Sequence, residues 1–224
     1  MNYSPNDPFS VALFSGALGG GQGLARNYRI QQSGAVGGFE AGYNWQAGSN
    51  WLWGLGADFS FAGMSGTASS TTLFNPVDTH TTTAQQDTDW YGTVRGRLGW
   101  LATPNLLLFG TGGFAYGRVD GSVSYSSQTA FGATIGGFQA ICGTNVTCFA
   151  GSSSAIRTGW TAGGGAEWLL DQHWSAKIEY QFVDLGTETV RVVALLAPTG
   201  LPASFNAAFR DQFNVVRVGL NYRF

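Results

Sequence analysis

The sequence predicts an all-β fold, an eight-stranded antiparallel transmembrane up-and-down β-barrel with four long extracellular loops and short periplasmic turns. Three observations predict it. Residues 211–224 alternate between apolar and mostly polar positions, as a strand with one lipid-facing side does. The same alternation recurs in seven further segments, and long and short connections take turns between them. Outer-membrane barrels have short periplasmic turns and long outer loops, so both termini are expected in the periplasm.

The composition argues against several other classes of protein. Charged residues make up 11% of the chain, against about 25% in soluble globular proteins. No apolar run approaches the roughly 18 residues of a membrane helix. Low charge without such a run fits strands of which only alternate residues meet lipid. The net charge is −2 and Lys177 is the only lysine, which argues against a nucleic-acid partner.

The predicted elements account for most of the chain. We expect residues 1–8 to be a periplasmic N-terminal segment and residues 9–224 to form one barrel domain. The N-terminus carries no signal-peptide pattern, so we expect a mature form whose export signal has been removed. The strands are expected at 9–18, 35–45, 51–62, 89–101, 106–119, 155–168, 174–183 and 211–224. Long loops are expected at 19–34, 63–87, 120–154 and 184–210, and tight turns at 46–50, 102–105 and 170–173.

The first three predicted strands alternate with increasing clarity along the chain. In the first, Phe9, Val11, Leu13 and Ala17 are expected on one face. In the second and third, the lipid-facing side chains are expected to include Phe39, Tyr43, Trp45, Trp51, Trp53, Leu55, Phe59 and Phe61. Their interior positions are mostly small, with two acidic residues, Glu40 and Asp58. Alternate side chains on opposite faces are what a strand between lipid and a polar interior requires.

The fourth predicted strand has the best-defined register. Residues 89–101 place Val94 and Leu98 toward lipid and Arg95 and Arg97 inside. A shift by one residue would turn both arginines toward lipid, at about 2–4 kcal/mol each near the middle of the membrane. The inward register is therefore the only credible one.

The last four predicted strands repeat this arrangement. Their lipid-facing side chains are expected to include Leu108, Phe114, Tyr116, Trp160, Trp168, Trp174, Ile178, Tyr180, Phe182, Val216, Val218 and Leu220. Tryptophans stand at the ends of the predicted strands that meet the short turns. We expect them to form a periplasmic aromatic girdle, made of Trp45, Trp51, Trp100, Trp168 and Trp174.

Charged residues at interior positions form the strongest candidate site. The expected barrel-interior charge network comprises Glu40, Asp58, Arg95, Arg97, Glu167, Lys177, Glu179 and Arg217, with Arg157 and Arg223 as further candidates. Paired carboxylates also serve general acid–base catalysis. However, an eight-stranded barrel is only wide enough to be filled by its own side chains, and structural ion pairs resemble active sites. We therefore expect a structural polar plug with no catalytic, cofactor-binding or metal-binding residue and no cofactor. A narrow gated path for water or ions is the alternative.

The remaining candidates lie in the predicted connections. Cys142 and Cys148 are the only cysteines, and their spacing in a polar loop suggests a disulfide, with two free thiols as the alternative. His80 and His173 are the only histidines. We expect His80 to be a solvated residue of an outer loop and His173 to lie in a periplasmic turn.

Several segments occur in an order that resembles a known family. They are DWYGTVRGRLGWL at 89–101, LFGTGGFAYGR at 108–118, WTAGGGAEW at 160–168, WSAKIEYQFVDL at 174–185 and the terminal NYRF. The chain resembles the OmpA-like outer-membrane β-barrel superfamily, and more closely the outer-membrane immunogenic, opacity-like porin group of alphaproteobacteria. The resemblance implies that Tyr222 and Phe224 form a C-terminal signal read by the barrel-assembly machinery.

The expected function is that of a non-enzymatic outer-membrane barrel with a structural and surface-interaction role and a charge-plugged interior. The alternatives are a porin-like channel for ions or small solutes, and a lipid-modifying or ligand-binding barrel. A soluble lipocalin-like barrel is the alternative fold. The expected partners are outer-membrane lipid and lipopolysaccharide, the barrel-assembly machinery and a surface partner of the long loops. We expect an integral protein of the bacterial outer membrane, as a monomer or weak oligomer.

Overall fold

The computed structural model describes residues 2–15, 30–75, 78–197 and 199–224. Eleven strands and one helix follow each other along the described chain. They are β1 (Asn2–Pro5), α1 (Pro8–Ser15), β2 (Ser33–Ala47), β3 (Trp51–Asn75), β4 (Asp78–Thr103), β5 (Leu106–Ser127), β6 (Phe131–Ile135), β7 (Phe138–Cys142), β8 (Val146–Leu169), β9 (Trp174–Ala194), β10 (Leu201–Pro202) and β11 (Ser204–Tyr222).

Eight of the strands form one antiparallel sheet. Its order is β1-β11-β9-β8-β5-β4-β3-β2, so every long strand pairs with the neighbour that the predicted up-and-down topology gives it. Seven strands are long, and β1 adds only four residues, against Phe205–Ala208 of β11. The sheet is curled, because side chains of non-neighbouring strands meet across its concave side. We call the enclosed space the lumen.

The lower half of the sheet, toward the short turns, is apolar outside and charged inside. Large apolar side chains there point outward, and most of them remain 42–81% exposed. Examples on three strands are Leu98, Phe114 and Val218, and we call this outward apolar surface of the lower half the lipid-facing band. An exposed apolar surface that extends over several strands marks contact with lipid or a partner. The outward and inward assignments of the sequence hold for β2 to β5, β8, β9 and β11.

The polarity inverts in the upper half of the sheet, toward the long connections. Beyond Phe61, the outward positions of β3 are Gly63, Ser65, Thr67, Ser69, Thr71 and Leu73, of which only Leu73 is large and apolar. The lumen side of the upper half instead holds a large apolar cluster, which includes the fully buried Tyr125, Phe149, Phe205 and Phe209 and aliphatic residues such as Val190 and Val192. The upper half is therefore built like a water-soluble β-structure with a hydrophobic core.

The upper half replaces most of the predicted long loops. Strands β3 and β4 continue to Asn75 and from Asp78, and β9 continues to Ala194. The expectation of long irregular loops at 63–87, 120–154 and 184–210 was thus wrong for most of these residues. The Ser/Thr-rich outer face lacks the lipid-type alternation, but backbone pairing continues because each strand has a neighbour to bond. The predicted loop 19–34 lies mostly outside the described residues.

The N-terminal region differs most from the prediction. Residues 9–15, expected within a strand, lie instead in α1 (Pro8–Ser15), and the rest of that predicted strand lies outside the described residues. Asp7 caps the helix: its Oδ1 accepts a hydrogen bond from the Ser10 backbone N–H at 2.9 Å. Pro8 takes the first helical position, where its missing N–H costs nothing. No helix among the described residues is long and apolar enough to cross a membrane.

Helix α1 and a small second sheet close the upper end of the lumen. Phe9, Leu13 and Phe14 are buried in the upper apolar cluster. The second sheet, in the order β10-β7-β6, forms a cap over the same cluster. Strand β1 also lies at this upper end, whereas Tyr222 lies at the lower end beside Trp174. The expectation that both termini share the short-turn end is therefore wrong for the described N-terminal residues.

Candidate functional site: the charged lumen

Arg95 is the centre of the charged lumen. It projects inward from β4, and its side chain is 8% exposed. Its Nη2 lies 3.0 Å from Asp58 Oδ2 and 3.6 Å from Glu40 Oε2, and its Nη1 pairs with Glu179. Thr93 also donates a hydrogen bond to Asp58. One guanidinium therefore joins carboxylates of β2, β3 and β9.

Lys177 and Arg217 complete this network from β9 and β11. Lys177 Nζ pairs with Glu40 and lies 3.4 Å from Glu179 Oε2. Arg217 Nη1 lies 3.2 Å from Asp58 Oδ1, and its Nη2 lies 3.9 Å from Glu179 Oε2. The network crosses the lumen, because β11 and β3 are each next to an end of the sheet order, on opposite sides.

The charges of this central network balance. Its three carboxylates and three cations are Glu40, Asp58, Glu179, Arg95, Lys177 and Arg217. Removing one partner of a buried pair leaves an uncompensated charge and costs about 3–5 kcal/mol. The balanced set is therefore stable as a unit and sensitive to the loss of any member.

A second charged group lies nearer the short turns. Arg97 pairs with Glu167, which also accepts hydrogen bonds from Ser175 Oγ and, at 3.1 Å, from Asn221 Nδ2. The Arg97 guanidinium carbon lies 3.8 Å from the centre of the Phe109 ring, a cation–π contact. Every side chain in this group points into the lumen, as the alternation predicts.

An apolar layer lies directly above the central network. Tyr91, Leu185 and Phe213 are almost fully buried there, and the Tyr91 and Phe213 ring centres are 5.1 Å apart. The layer separates the central network from the polar groups higher in the lumen.

A thin polar layer follows, and the upper apolar cluster lies above it. Gln32 accepts a hydrogen bond from Thr88 Oγ1 at 3.0 Å and donates one to Asp211 Oδ1 at 3.2 Å. Glu188 is 1% exposed, and Arg157 Nη2, its ion-pair partner among the described residues, lies 3.7 Å from Glu188 Oε1. Apolar and polar layers thus alternate along the lumen, and side chains of the described residues interrupt any polar path at two levels.

The structure places the eight predicted interior charges and the two further candidates in four different settings. Seven of the eight line the lumen, with side chains at most 15% exposed. Glu40 is the exception: its side chain is 31% exposed, because β2 forms an edge of the sheet. Arg157 belongs to the upper polar layer. Arg223 lies beyond the end of β11, outside the network.

The predicted disulfide is confirmed, and His80 differs from its prediction. Cys142 and Cys148 are bonded and buried beneath the cap, joining β7 to β8.

His80 is 2% exposed, shares a hydrogen bond through Nδ1 with Tyr125 OH and stacks on Phe131. The expectation of a solvated loop residue was wrong because β4 begins before His80 and carries it into the apolar cluster. Burial there, above the lipid-facing band, raises the pKa of Tyr125, so its phenol stays neutral.

The five predicted girdle tryptophans all lie at the short-turn end. They are 44–54% exposed and project outward. Trp51 and Trp100 are cross-strand partners, and Trp174 packs edge-on against Tyr222. His173 lies in the turn beside them, as predicted, and stacks on Tyr222. In the same turn, hydrogen bonds from the backbone N–H groups of His173 and Trp174 lower the pKa of Asp171. Phe224 is fully exposed after the last strand.

Comparison with known proteins identifies the family. The family described as outer membrane protein beta-barrel domain matches residues 11–224. The chain belongs to this family. No solved structure matches.

Curated relatives come from alphaproteobacteria. The 31 kDa outer-membrane immunogenic proteins of Brucella melitensis and Brucella suis are 34% identical to this chain over 195 residues, which cover 87% of the chain and 68% of each relative. The 22 kDa outer membrane protein of Rhizobium leguminosarum is 34% identical over 109 residues, 47% of the chain and 44% of that relative. This β-barrel protein is therefore an integral protein of the outer membrane.

The upper polar layer and α1 were not predicted from the sequence. Glu188 and Asp211 were assigned to a loop and a strand start, although the alternation ETVRVV at 188–193 continues β9. The signal for α1 was also present: Asp7 followed by Pro8 is typical of a helix start.

Proposed function

We propose that this outer-membrane protein forms a closed, non-conducting and non-enzymatic barrel that stabilises the envelope and presents a rigid surface outside the cell. The short turns face the periplasm, as in other outer-membrane barrels. The upper half of the sheet then projects from the outer leaflet.

One observation carries the proposal: side chains fill the lumen in alternating layers. The balanced network around Arg95 fills the level of the membrane, and the Tyr91–Phe213 layer lies directly above it. Ions crossing the lumen would have to break buried pairs and then pass an apolar layer.

The upper half supports the surface role. Its apolar core, the cap sheet and the Cys142–Cys148 disulfide give it the construction of a folded extracellular domain. Its outer face is rich in Ser and Thr and offers a polar surface to partners. The Brucella relatives are named immunogenic, which fits a surface that antibodies reach. Lipid and lipopolysaccharide around the lower half, and the assembly machinery acting on Tyr222 and Phe224, are the further partners that we propose.

Conductance in planar bilayers tests the proposal. The refolded protein should migrate heat-modifiably in gels, which shows a folded barrel, and should give no single-channel steps. Steady, charge-selective steps from such protein would instead support a porin-like channel.

A second experiment tests the absence of enzymatic activity. Lipid A recovered from cells that express the protein should be unchanged in mass; a changed mass would support a lipid-modifying enzyme.

A further inference from the structure

Two carboxylates lie buried beside each other in the upper polar layer. Glu188 and Asp211 are each 1% exposed. In the pairing of β9 with β11, Glu188 is opposite Phe209 and Asp211 is opposite Gly186. The two acidic residues are therefore diagonal neighbours on the lumen side of adjacent strands, a position from which long side chains reach each other.

This level of the sheet lies above the lipid-facing band. Arg210 and Gln212, the neighbours of Asp211 in β11, point outward, and both donate hydrogen bonds to Asp184, at 3.0 and 2.7 Å. A charged outer surface of this kind is unfavourable in lipid. The buried carboxylates therefore belong to the part of the sheet whose outer face meets water.

The two buried carboxylates have one cation between them. Among the described residues, the ion-pair partner of Glu188 is Arg157, whose Nη2 lies 3.7 Å from Glu188 Oε1. Asp211 forms no ion pair with any described residue. Its Oδ1 accepts a hydrogen bond from Gln32 Nε2 at 3.2 Å. One positive charge is therefore missing from this site.

Hydrogen bonds do not compensate for the missing charge. No described residue donates a hydrogen bond to either carboxylate oxygen of Glu188 or to Asp211 Oδ2. The polar residues that β4 turns toward the lumen at this level, Gln86 and Thr88, are uncharged. A buried ionised carboxylate without such partners is strongly disfavoured, because it has lost its hydration and gained nothing in return.

We propose that Glu188 and Asp211 share one bound proton, carried on Asp211 Oδ2 and donated to the Glu188 carboxylate, and that loss of this proton loosens the upper half of the sheet. Two carboxylates in one site resist double ionisation because their like charges repel. With the proton bound, the charges of the site balance against Arg157. A metal ion would need several further oxygen ligands, whereas a proton needs only these two groups.

The electrostatic surroundings of Asp211 favour a proton near neutral pH. Burial raises the pKa of Asp211 to about 7, the hydrogen bond from Gln32 opposes this effect, and the negative charges of Glu188 and Asp184 add to it. In an unfolded chain the pKa of an aspartate is about 3.9. A carboxyl whose pKa is higher in the folded protein stabilises the fold at low pH, and this contribution is lost as the pH rises through the folded value.

The position of the site explains why its proton affects the upper half. The pairing of β9 with β11 is interrupted here by a register shift between Asp211 and Gln212, and Gly186 opposite has a φ of 83°. Gln32 also connects Asp211 to β4, through the hydrogen bond from Thr88 at 3.0 Å. A second negative charge would act where the ladder is already irregular, so we expect the two strands to open locally there.

Urea unfolding in lipid vesicles over a range of pH tests the proposal. Between about pH 7 and about pH 5, the folding equilibrium constant of the unaltered protein should rise by about tenfold per pH unit relative to that of Asp211→Asn, which has no carboxyl to titrate. His80 and His173 titrate in the same range, but they do so in both proteins. The same pH dependence in both proteins would overturn the proposal.

Two further variants show whether the effect belongs to the shared proton. Asp120→Asn removes a carboxylate of the outer face that lies 3.5 Å from Arg118, and it should keep the pH dependence of the unaltered protein. Glu188→Gln removes the neighbouring negative charge, so Asp211 should ionise more easily and the change in stability should move to lower pH. An unchanged midpoint in Glu188→Gln, or a lost pH dependence in Asp120→Asn, would each overturn the proposal.

Two measurements on the unaltered protein do not depend on whether the variants fold. Infrared spectra should show the C=O stretch of a protonated carboxyl at about pH 5 and its loss at about pH 9, on either side of the proposed titration. Hydrogen–deuterium exchange, corrected for its intrinsic pH dependence, should be faster at the higher pH in residues 184–190 and 204–212. A carboxyl band that does not change, or exchange that does not increase, would overturn the proposal.

Discussion

Arg95 pairs with Glu179 across the lumen, although their strands, β4 and β9, are separated in the sheet by β5 and β8. The pair holds opposite sides of the curled sheet together at the level of the membrane. Both side chains are almost completely buried, at 8% and 1% exposure. The same guanidinium contacts Asp58, so its removal leaves the three carboxylates of the central network with only two cations, Lys177 and Arg217.

Arg95→Ala should therefore destabilise the folded protein by about 3–5 kcal/mol, the cost of breaking a buried pair. Urea unfolding in lipid vesicles, followed by tryptophan fluorescence, measures this change. The matched control is Arg118→Ala, whose guanidinium is half-exposed near Asp89 and Asp120 and should change stability by about 0–1 kcal/mol. Equal effects of the two substitutions would show that the central network does not stabilise the barrel.

The lipid-facing band gives a second prediction. Val94→Arg places a charge on the outer face in the middle of the band and should cost about 2–4 kcal/mol. Ser69→Arg places the same charge on the outer face of the upper half, in water, and should change stability little. The free energies of unfolding of both variants in vesicles measure the difference. A similar cost at both positions would contradict the boundary that we place near Phe61.

These two predictions show why the sequence revealed the lower half of the fold well. Lipid imposes a strict alternation, so a single arginine such as Arg97 fixes the register of its strand. The upper half is under no such constraint, because its outer face meets water. There the residues that reveal strands are the apolar ones that point inward, such as Val190 and Phe209, and their Ser/Thr neighbours resemble loops.

Which of the interior charges pair with each other could not be predicted from the sequence, for a different reason. Alternation places Arg95 and Glu179 in the same lumen, but their pairing depends on how strongly the sheet curls. Helix α1 shows the complementary difficulty: residues 9–15 alternate well enough for a strand, while Asp7 and Pro8 favour a helix start. The sequence supports both forms, and packing in the upper apolar cluster decides between them in this structure.

The disulfide gives a third prediction. Cys142→Ser with Cys148→Ser removes a bond that closes a short loop, six residues apart in sequence. The chain-entropy relation gives a loss of about 2 kcal/mol for such a loop. The loss should be confined to the cap, since the bond joins β7 to β8 above the lipid-facing band. Limited proteolysis of the folded protein should then cleave near residues 136–145, while heat-modifiable migration persists. Loss of that migration would show that the cap is needed for the barrel itself.

The apolar layer above the central network gives the last prediction. Phe213 packs against Tyr91 there and is 4% exposed, so Phe213→Ala removes one of the two rings that separate the central network from the polar layer of Gln32 and Asp211. The substitution should cost about 3–5 kcal/mol, the usual range for a buried phenylalanine. The space left behind adjoins polar groups on both sides and is open to water. Single-channel recording should show brief, small steps for this variant and none for the unaltered protein.

The control is Phe205→Ala, which opens a similar space inside the upper apolar cluster, where apolar residues surround it and keep it dry. Steps of equal size in both variants would mean that ions pass elsewhere than through the Tyr91–Phe213 layer.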